Sequence, residues 1–301
     1  MSLLVTGSIG IDTVEAPTGT VENALGGSSV YFAYAASFFT PVRLVGVVGG
    51  DCPPDFLRPL EENPNIDLAG LEVRAGSETF RWHGRYHEDV NQRDTIEVDL
   101  NVLEEAGPKI PDAFLDSEYV FLANTHPALQ MELLGQLTGP KLVVADTMDL
   151  WIRTEHEALT ALLNKIDGFV LNDGEAKLLT EKHNVIAAGL EIARTVRRFV
   201  IVKKGEHGSI LFMDGRAWPL PGYPSCKVVD PTGAGDTYAG AMMGHLAAID
   251  KVDTATVRAA IACGTVTAGI ELEDFSLNRL IAASREEVDA RLDEFREITR
   301  F

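Results

Sequence analysis

The residues with the most specific chemistry lie in one run, Val229-Asp230-Pro231-Thr232-Gly233-Ala234-Gly235-Asp236-Thr237-Tyr238-Ala239-Gly240. Glycines on both sides of Ala234 let the backbone turn tightly and approach a ligand closely. A helical period follows at once, with Ala239, Met242, Met243, Leu246 and Ala247 on one face. The turn therefore stands at a helix N-terminus, where unpaired N–H groups and the positive end of the dipole favour an anion. Asp236 falls in the first helical turn. The same field is expected to keep it ionised, ready to take a proton from a hydroxyl beside a bound phosphate. The plainer reading is a glycine turn capped by an aspartate.

These residues need a scaffold, and the chain reads as alternating strands and helices. Leu3 to Gly7, Val42 to Val48, Tyr119 to Leu122, Leu142 to Val144, Phe169 to Leu171 and Phe199 to Val202 are short apolar runs of the kind found in strands buried on both faces. Helical stretches separate several of them, including an apolar helix up to Phe39, one started by a Thr154/Glu157 capping box, and a small-residue helix from Arg258 to Ile270. A charged terminal helix with a Ser284/Glu287 box closes the chain. The pattern predicts a parallel sheet covered on both faces. Asn124, Asp146, Asn172 and Lys203 trail the strands, and open α/β sheets bind ligands at strand C-terminal ends. Asp12, after the first strand, is a ligand contact or a turn residue on the same argument.

Residues 72 to 100 differ in character: Phe80, Trp82, Gly84 and Tyr86 alternate with polar residues, as do Ile96, Val98 and Leu100 across the polar loop His87 to Asp94. Period two on both sides of a loop predicts a β-hairpin with one apolar face.

The run Asp230 to Asp236 resembles the C-terminal signature of the ribokinase-like (pfkB) family of sugar and nucleoside kinases, and the resemblance extends over nearly the whole chain. It implies a three-layer α/β/α fold with a mostly parallel central sheet. A small β-sheet lid is implied too, built from about residues 11–24 and 72–100, which can also pair two subunits. In the family the Gly233-Ala234-Gly235 backbone would form the anion hole and Asp236 the catalytic base. Asp12 matches the aspartate that holds two sugar hydroxyls. Gly26-Gly27-Ser28-Ser29-Val30-Tyr31 departs from the family's Gly-Gly-x-Gly-x-Asn, with Ser29 for the third glycine and Tyr31 for the asparagine. Gly27 is the best-supported contact there, and the departure speaks against a plain ribose or fructose acceptor. Asn124 is a further candidate for the acceptor site.

Asn172-Asp173-Gly174-Glu175 is a helix-capping pattern in its own right. By resemblance, Asn172 and Glu175 also organise magnesium and phosphate, Glu175 through water. Lys203, Gly205, Glu206 and Gly208 match the family's nucleotide-binding turn. Asp230 and Thr232 match the surroundings of a monovalent cation such as potassium. The implied donor is ATP with Mg2+.

The composition fits. Lys and Arg total 26 against 45 Asp and Glu, a net charge of -19, which repels nucleic acid and anionic membrane. A phosphate site must then be made locally, from backbone N–H groups, a metal and a few Lys or Arg. Three separated cysteines, Cys52, Cys226 and Cys263, argue for reduced thiols in a cytoplasmic protein and against structural zinc or disulfides. No signal peptide, membrane span, dinucleotide fingerprint or P-loop is found in the sequence. Trp82, Tyr31 and Trp151 can stack on a base or serve as core. The expected activity is ATP-dependent phosphorylation of a hydroxymethyl group on a sugar or nucleoside. The competing class is a non-catalytic sensor that binds such a ligand on a kinase scaffold.

Overall fold

In a computed structural model, which describes residues 1–300, thirteen strands form two sheets. In chain order they are β1 (Leu3–Thr6), β2 (Gly10–Ala16), β3 (Gly19–Gly26), β4 (Val42–Gly49), β5 (Ile66–Arg74), β6 (Phe80–Tyr86), β7 (Arg93–Asp99), β8 (Tyr119–Leu122), β9 (Leu142–Asp146), β10 (Gly168–Asn172), β11 (Phe199–Lys203), β12 (Ser209–Met213) and β13 (Arg216–Leu220). The large sheet runs β13-β12-β11-β10-β9-β8-β1-β4-β5. It is parallel from β11 to β5, and β12 and β13 extend it antiparallel. Its central strands are buried on both faces, which is why they read as unbroken apolar runs. One apolar cluster lies on each face: Phe32, Phe121, Met242 and Leu246 belong to one, Leu122, Leu159, Phe169 and Phe212 to the other.

The second sheet has the order β3-β2-β6-β7. Residues 72–74 are not part of it. They complete β5, which pairs in parallel with β4 and closes an edge of the large sheet. The aromatic side of β6 faces inward: Phe80 packs where a Cβ on Gly10 would sit, and Tyr86 is buried. Arg81 and His83, on the other side, pair with Asp51 and Glu15.

The helix Ser28–Ser37 is buried along its whole length and packs against Ala234–Ile249. Their contact is close because Gly240 and Gly244 carry no side chain. A Cβ on Gly240 would stand 2.2 Å from the Phe32 carbonyl oxygen, and one on Gly244 2.9 Å from that of Ala36. The Thr154/Glu157 box does not form: Thr154 ends the helix Asp149–Thr154, its hydroxyl donating to the Leu150 carbonyl, and the next helix starts at His156. The Ser284 hydroxyl does cap Arg285–Ile298, accepting from the Glu287 amide.

Because α-helical backbone blocks the Cβ at Gly240, Gly240→Ala should lower unfolding free energy by about 1–3 kcal/mol. Denaturant titration of the full chain checks this, and a change below about 0.5 kcal/mol would show that the two helices move apart without cost.

Candidate active site

The cleft forms where strand ends of the large sheet meet the N-terminus of Ala234–Ile249. Asp146, Asn172 and Lys203 are the last residues of β9, β10 and β11, and the parallel register sets Asn172 beside Lys203. Gly233 adopts φ 85, a left-handed conformation that glycine accepts without strain. The glycine has a second cause: a Cβ there would lie 2.4 Å from the Tyr31 ring. Tyr31, in the departed family position, thus sits beneath the turn and fixes its floor.

The Ala234 and Thr237 amides bond to the carbonyls of Pro231 and Gly233, at 3.3 and 2.8 Å. The Gly235 and Asp236 amides take no backbone carbonyl among the described residues, which leaves donors for an anion. Lys203 Nζ lies 2.5 Å from where a Cβ on Gly235 would be, so this glycine lets the ammonium rest against the turn. Sequence pattern placed Lys203 near nucleotide phosphate, and the fold brings it to the anion turn itself.

Carboxyl groups crowd around this cation. Burial pushes Asp236 up to about 6, while Lys203 and then Arg93 hold it down. Desolvation thus outweighs the helix field in direction, yet a value of about 6 still leaves the carboxyl largely ionised at pH 7. Asp146, one of the polar residues trailing the strands, is buried with Oδ1 unpartnered. Burial first, then the Asp236 charge, raises it well above the usual carboxylate range.

Across the cleft, Asp12 is 4 % exposed, with Oδ1 unpartnered and Oδ2 over Gly26, where a Cβ would come within 1.9 Å. Burial, with the charges of Asp230 and Asp236, pushes it up to about 8. Gly27, at φ 101, passes close to the Ser8 carbonyl. Asn124 turns its Oδ1 to the Trp151 indole N–H at 3.0 Å, and the His126 ring lies 5.1 Å from that indole.

Asn172 and Glu175 make the reciprocal capping box. The Asn172 amide donates to Glu175 Oε2 and the Glu175 amide to Asn172 Oδ1, both at 2.8 Å. Gly205 and Gly208 both have positive φ in the turn after β11, and a Cβ on Gly208 would strike the Leu220 carbonyl at 2.1 Å. Glu206 is exposed there.

Asp230 is fully buried. Its Oδ1 accepts from the Thr232 amide at 2.8 Å and its Oδ2 from the Ser276 amide at 3.3 Å. Beside it is Glu271, fully buried at the end of Thr254–Glu271 with both oxygens unpartnered. Burial and the Asp230 and Asp236 charges hold its proton on. The small-residue helix expected from Arg258 to Ile270 stops one residue short of this carboxyl, which the fold carries as the helix's last residue.

The chain matches the profile described as pfkB family carbohydrate kinase over residues 3–279. It belongs to the pfkB family of carbohydrate kinases. A cytidine kinase of Thermococcus kodakarensis is 27% identical over 250 residues, covering 81% of this chain and 87% of that one. Among solved structures, a Burkholderia thailandensis nucleoside kinase in complex with inosine superposes with a TM-score of 0.81 at 19% identity, covering 97% of both chains. A Thermotoga maritima ribokinase superposes with a TM-score of 0.75 at 22% identity, covering 97% of this chain and 99% of that one. These place the family's ribokinase fold, with its large mostly parallel sheet and smaller sheet, on the chain. No helix among the described residues is long and apolar enough to cross a membrane.

Asp12 illustrates the cost of this arrangement. Its folded pKa of about 8 stands above the ordinary 3.8, so the neutral form is favoured in the fold. The associated stability is present below the ordinary value and is lost as pH rises towards the folded one. Asp12→Asn keeps the shape without the charge. Each unit of displaced titration is worth at most about 1.4 kcal/mol. The variant's stability advantage should therefore grow from pH 5 and exceed about 2 kcal/mol by pH 8.5. Denaturant titrations at the two pH values check this, and an advantage independent of pH would contradict it.

Proposed function

We propose that the chain transfers the γ-phosphoryl group of ATP to a hydroxymethyl group of a nucleoside, with sugars as the wider acceptor class. The observation that carries this reading is the meeting of Asp236, the anion turn and Lys203 at one point, with Asp12 facing them. The T. kodakarensis relative named cytidine kinase and the inosine-bound structural neighbour favour a nucleoside over a simple sugar. The Tyr31 replacement is consistent with that preference.

In the proposed step Asp236 takes the proton of the acceptor O–H. The oxygen forms a new bond to the γ-phosphorus while the bond to the β,γ-bridging oxygen breaks, and its electron pair leaves with ADP. The Gly235 and Asp236 amides and the Lys203 ammonium receive the charge on the transferred group. Asp12 accepts hydrogen bonds from acceptor hydroxyls, with Gly27 admitting the acceptor close to the backbone and Asn124 beside it. Gly205, Glu206 and Gly208 border the nucleotide. The small sheet excludes water, so that ATP is not hydrolysed.

The residues fit the expected cations. Asp146, with its orphaned oxygen, and half-buried Glu175, with Asn172, would hold hydrated magnesium, which neutralises nucleotide phosphates when bound. Asp230, Thr232 and the unpartnered Glu271 fit a monovalent cation behind the turn.

The test is ADP release from Mg–ATP over a panel of nucleosides and sugars, with Asp236→Asn alongside. A nucleoside should turn over, and the variant should lose about 10²–10⁴-fold in kcat with ATP affinity unchanged. A variant with near-normal rate would remove Asp236 from the role of base. Thermal stabilisation by nucleosides with no turnover on any acceptor would favour a sensor.

A further inference from the structure

Asn124 stands on the acceptor side of the cleft. It follows β8, which pairs with β1, and its carbonyl accepts from the Ser28 hydroxyl at 3.4 Å. Ser28 comes directly after Gly27, and the Asp12 carboxyl rests over Gly26. The Asn124 side chain is half-buried. Its amide has two sides, an oxygen that accepts and an NH2 group that donates. Which of them meets a ligand depends on what holds the other.

The Trp151 indole decides it. An indole N–H can only donate, so the oxygen of Asn124 must face it, at 3.0 Å. The Nδ2 group then has no partner among the described residues and stays open to solvent. Trp151 lies in the helix Asp149–Thr154 after β9, and the His126 ring backs it at 5.1 Å. His126 is held at both nitrogens. Its Nδ1 accepts from the Ala128 amide at 3.1 Å, which puts the proton on Nε2, and Nε2 faces Glu155 Oε2 at 3.4 Å. The series from Ala128 to Asn124 therefore ends in one donor of fixed direction, backed by two aromatic rings. Asp12, by contrast, offers an unpartnered carboxyl oxygen on this side of the cleft. Sugar hydroxyls suit that oxygen because they donate as well as accept. A fixed donor beside flat aromatic faces suits a planar base, whose carbonyl oxygens only accept.

We propose that Trp151 is a positioning residue that sets acceptor preference. By locking the Asn124 amide it presents Nδ2 as a fixed donor, which reads an acceptor atom on the base of the nucleoside. The inference rests on the phosphotransfer reading above and names the part of the acceptor that this side of the site recognises. Without the indole N–H, the amide is free to turn its oxygen towards the ligand, and the donor is lost in part of the population. A phenylalanine at 151 keeps the ring against His126 and removes only that N–H.

The test is steady-state kinetics with Mg–ATP on cytidine and inosine, which share a sugar and differ in base. It uses the wild-type chain, Trp151→Phe, Asn124→Asp, Asn124→Ala and the double variant Trp151→Phe/Asn124→Ala. Trp151→Phe should raise nucleoside KM by about 3- to 10-fold, with kcat and the KM for ATP within about twofold, the pattern of lost binding and not of lost chemistry. Asn124→Asp keeps an oxygen for Trp151 and replaces the free donor by an acceptor, so it should raise nucleoside KM by about 10-fold or more. The losses should differ between cytidine and inosine. In the Asn124→Ala background Trp151→Phe should add less than about twofold, since Trp151 then has no amide to hold. An undiminished effect of Trp151→Phe in that background, equal losses on both nucleosides, or nucleoside KM within twofold of wild type in Trp151→Phe and Asn124→Asp would overturn the role of Trp151 alone. A wild-type chain that turns over no nucleoside and no sugar would overturn the phosphotransfer reading together with it.

Discussion

Desolvation of carboxyl groups at the mouth of the sheet is the constraint on which the rest of the arrangement depends. Asp12, Asp146, Asp236 and Glu271 are all raised, burial being the first cause in each. An isolated buried carboxylate is costly, and several close together are more so. The fold meets that cost by keeping protons on some of them and by bringing in Lys203. That ammonium reaches the anion turn only because residue 235 is a glycine. The turn holds its place because Tyr31 lies beneath it and because Gly240 and Gly244 let its helix settle onto Ser28–Ser37.

The same constraint explains the orphaned oxygens. A buried polar atom without a partner is uncommon in a stable fold. Here such atoms occur on Asp12, Asp146 and Glu271, around the cleft and behind it. In the proposed reaction these are the groups whose partners would arrive with substrate and cations, stability being given up there in favour of binding. The small sheet belongs to this arrangement through Tyr86 and Thr232, which join it to the chemistry and not merely to the edge of the domain.

Much of this was legible in the sequence, because it is local. The apolar runs gave the central strands, and the polar residues trailing them, Asp146, Asn172 and Lys203, marked the correct ends. The run from Asp230 to Asp236 announced a helix N-terminus for an anion. What escaped depends on distant neighbours. Glu271 lies just past the predicted helix Arg258 to Ile270, and its place near Asp230 is set by the fold and not by its sequence neighbours. Residues 72–74 fell inside the range expected for the small sheet, but pairing with β4 claims them for the large sheet. Thr154 had a capping spacing, yet the preceding helix runs through it. The upward push on Asp236 was not legible, because the helix field is visible in a sequence and burial is not.

The most direct test of this account is a carboxyl-carbon NMR titration of the aspartate-labelled chain without ligands, with Asp12→Asn and Asp236→Asn for assignment. The account predicts one resonance titrating near pH 8 and another near pH 6, belonging to Asp12 and Asp236. If both titrate near the ordinary aspartate value of about 4, the cleft is already charged before any ligand arrives. The claim that desolvation governs the site would then be wrong.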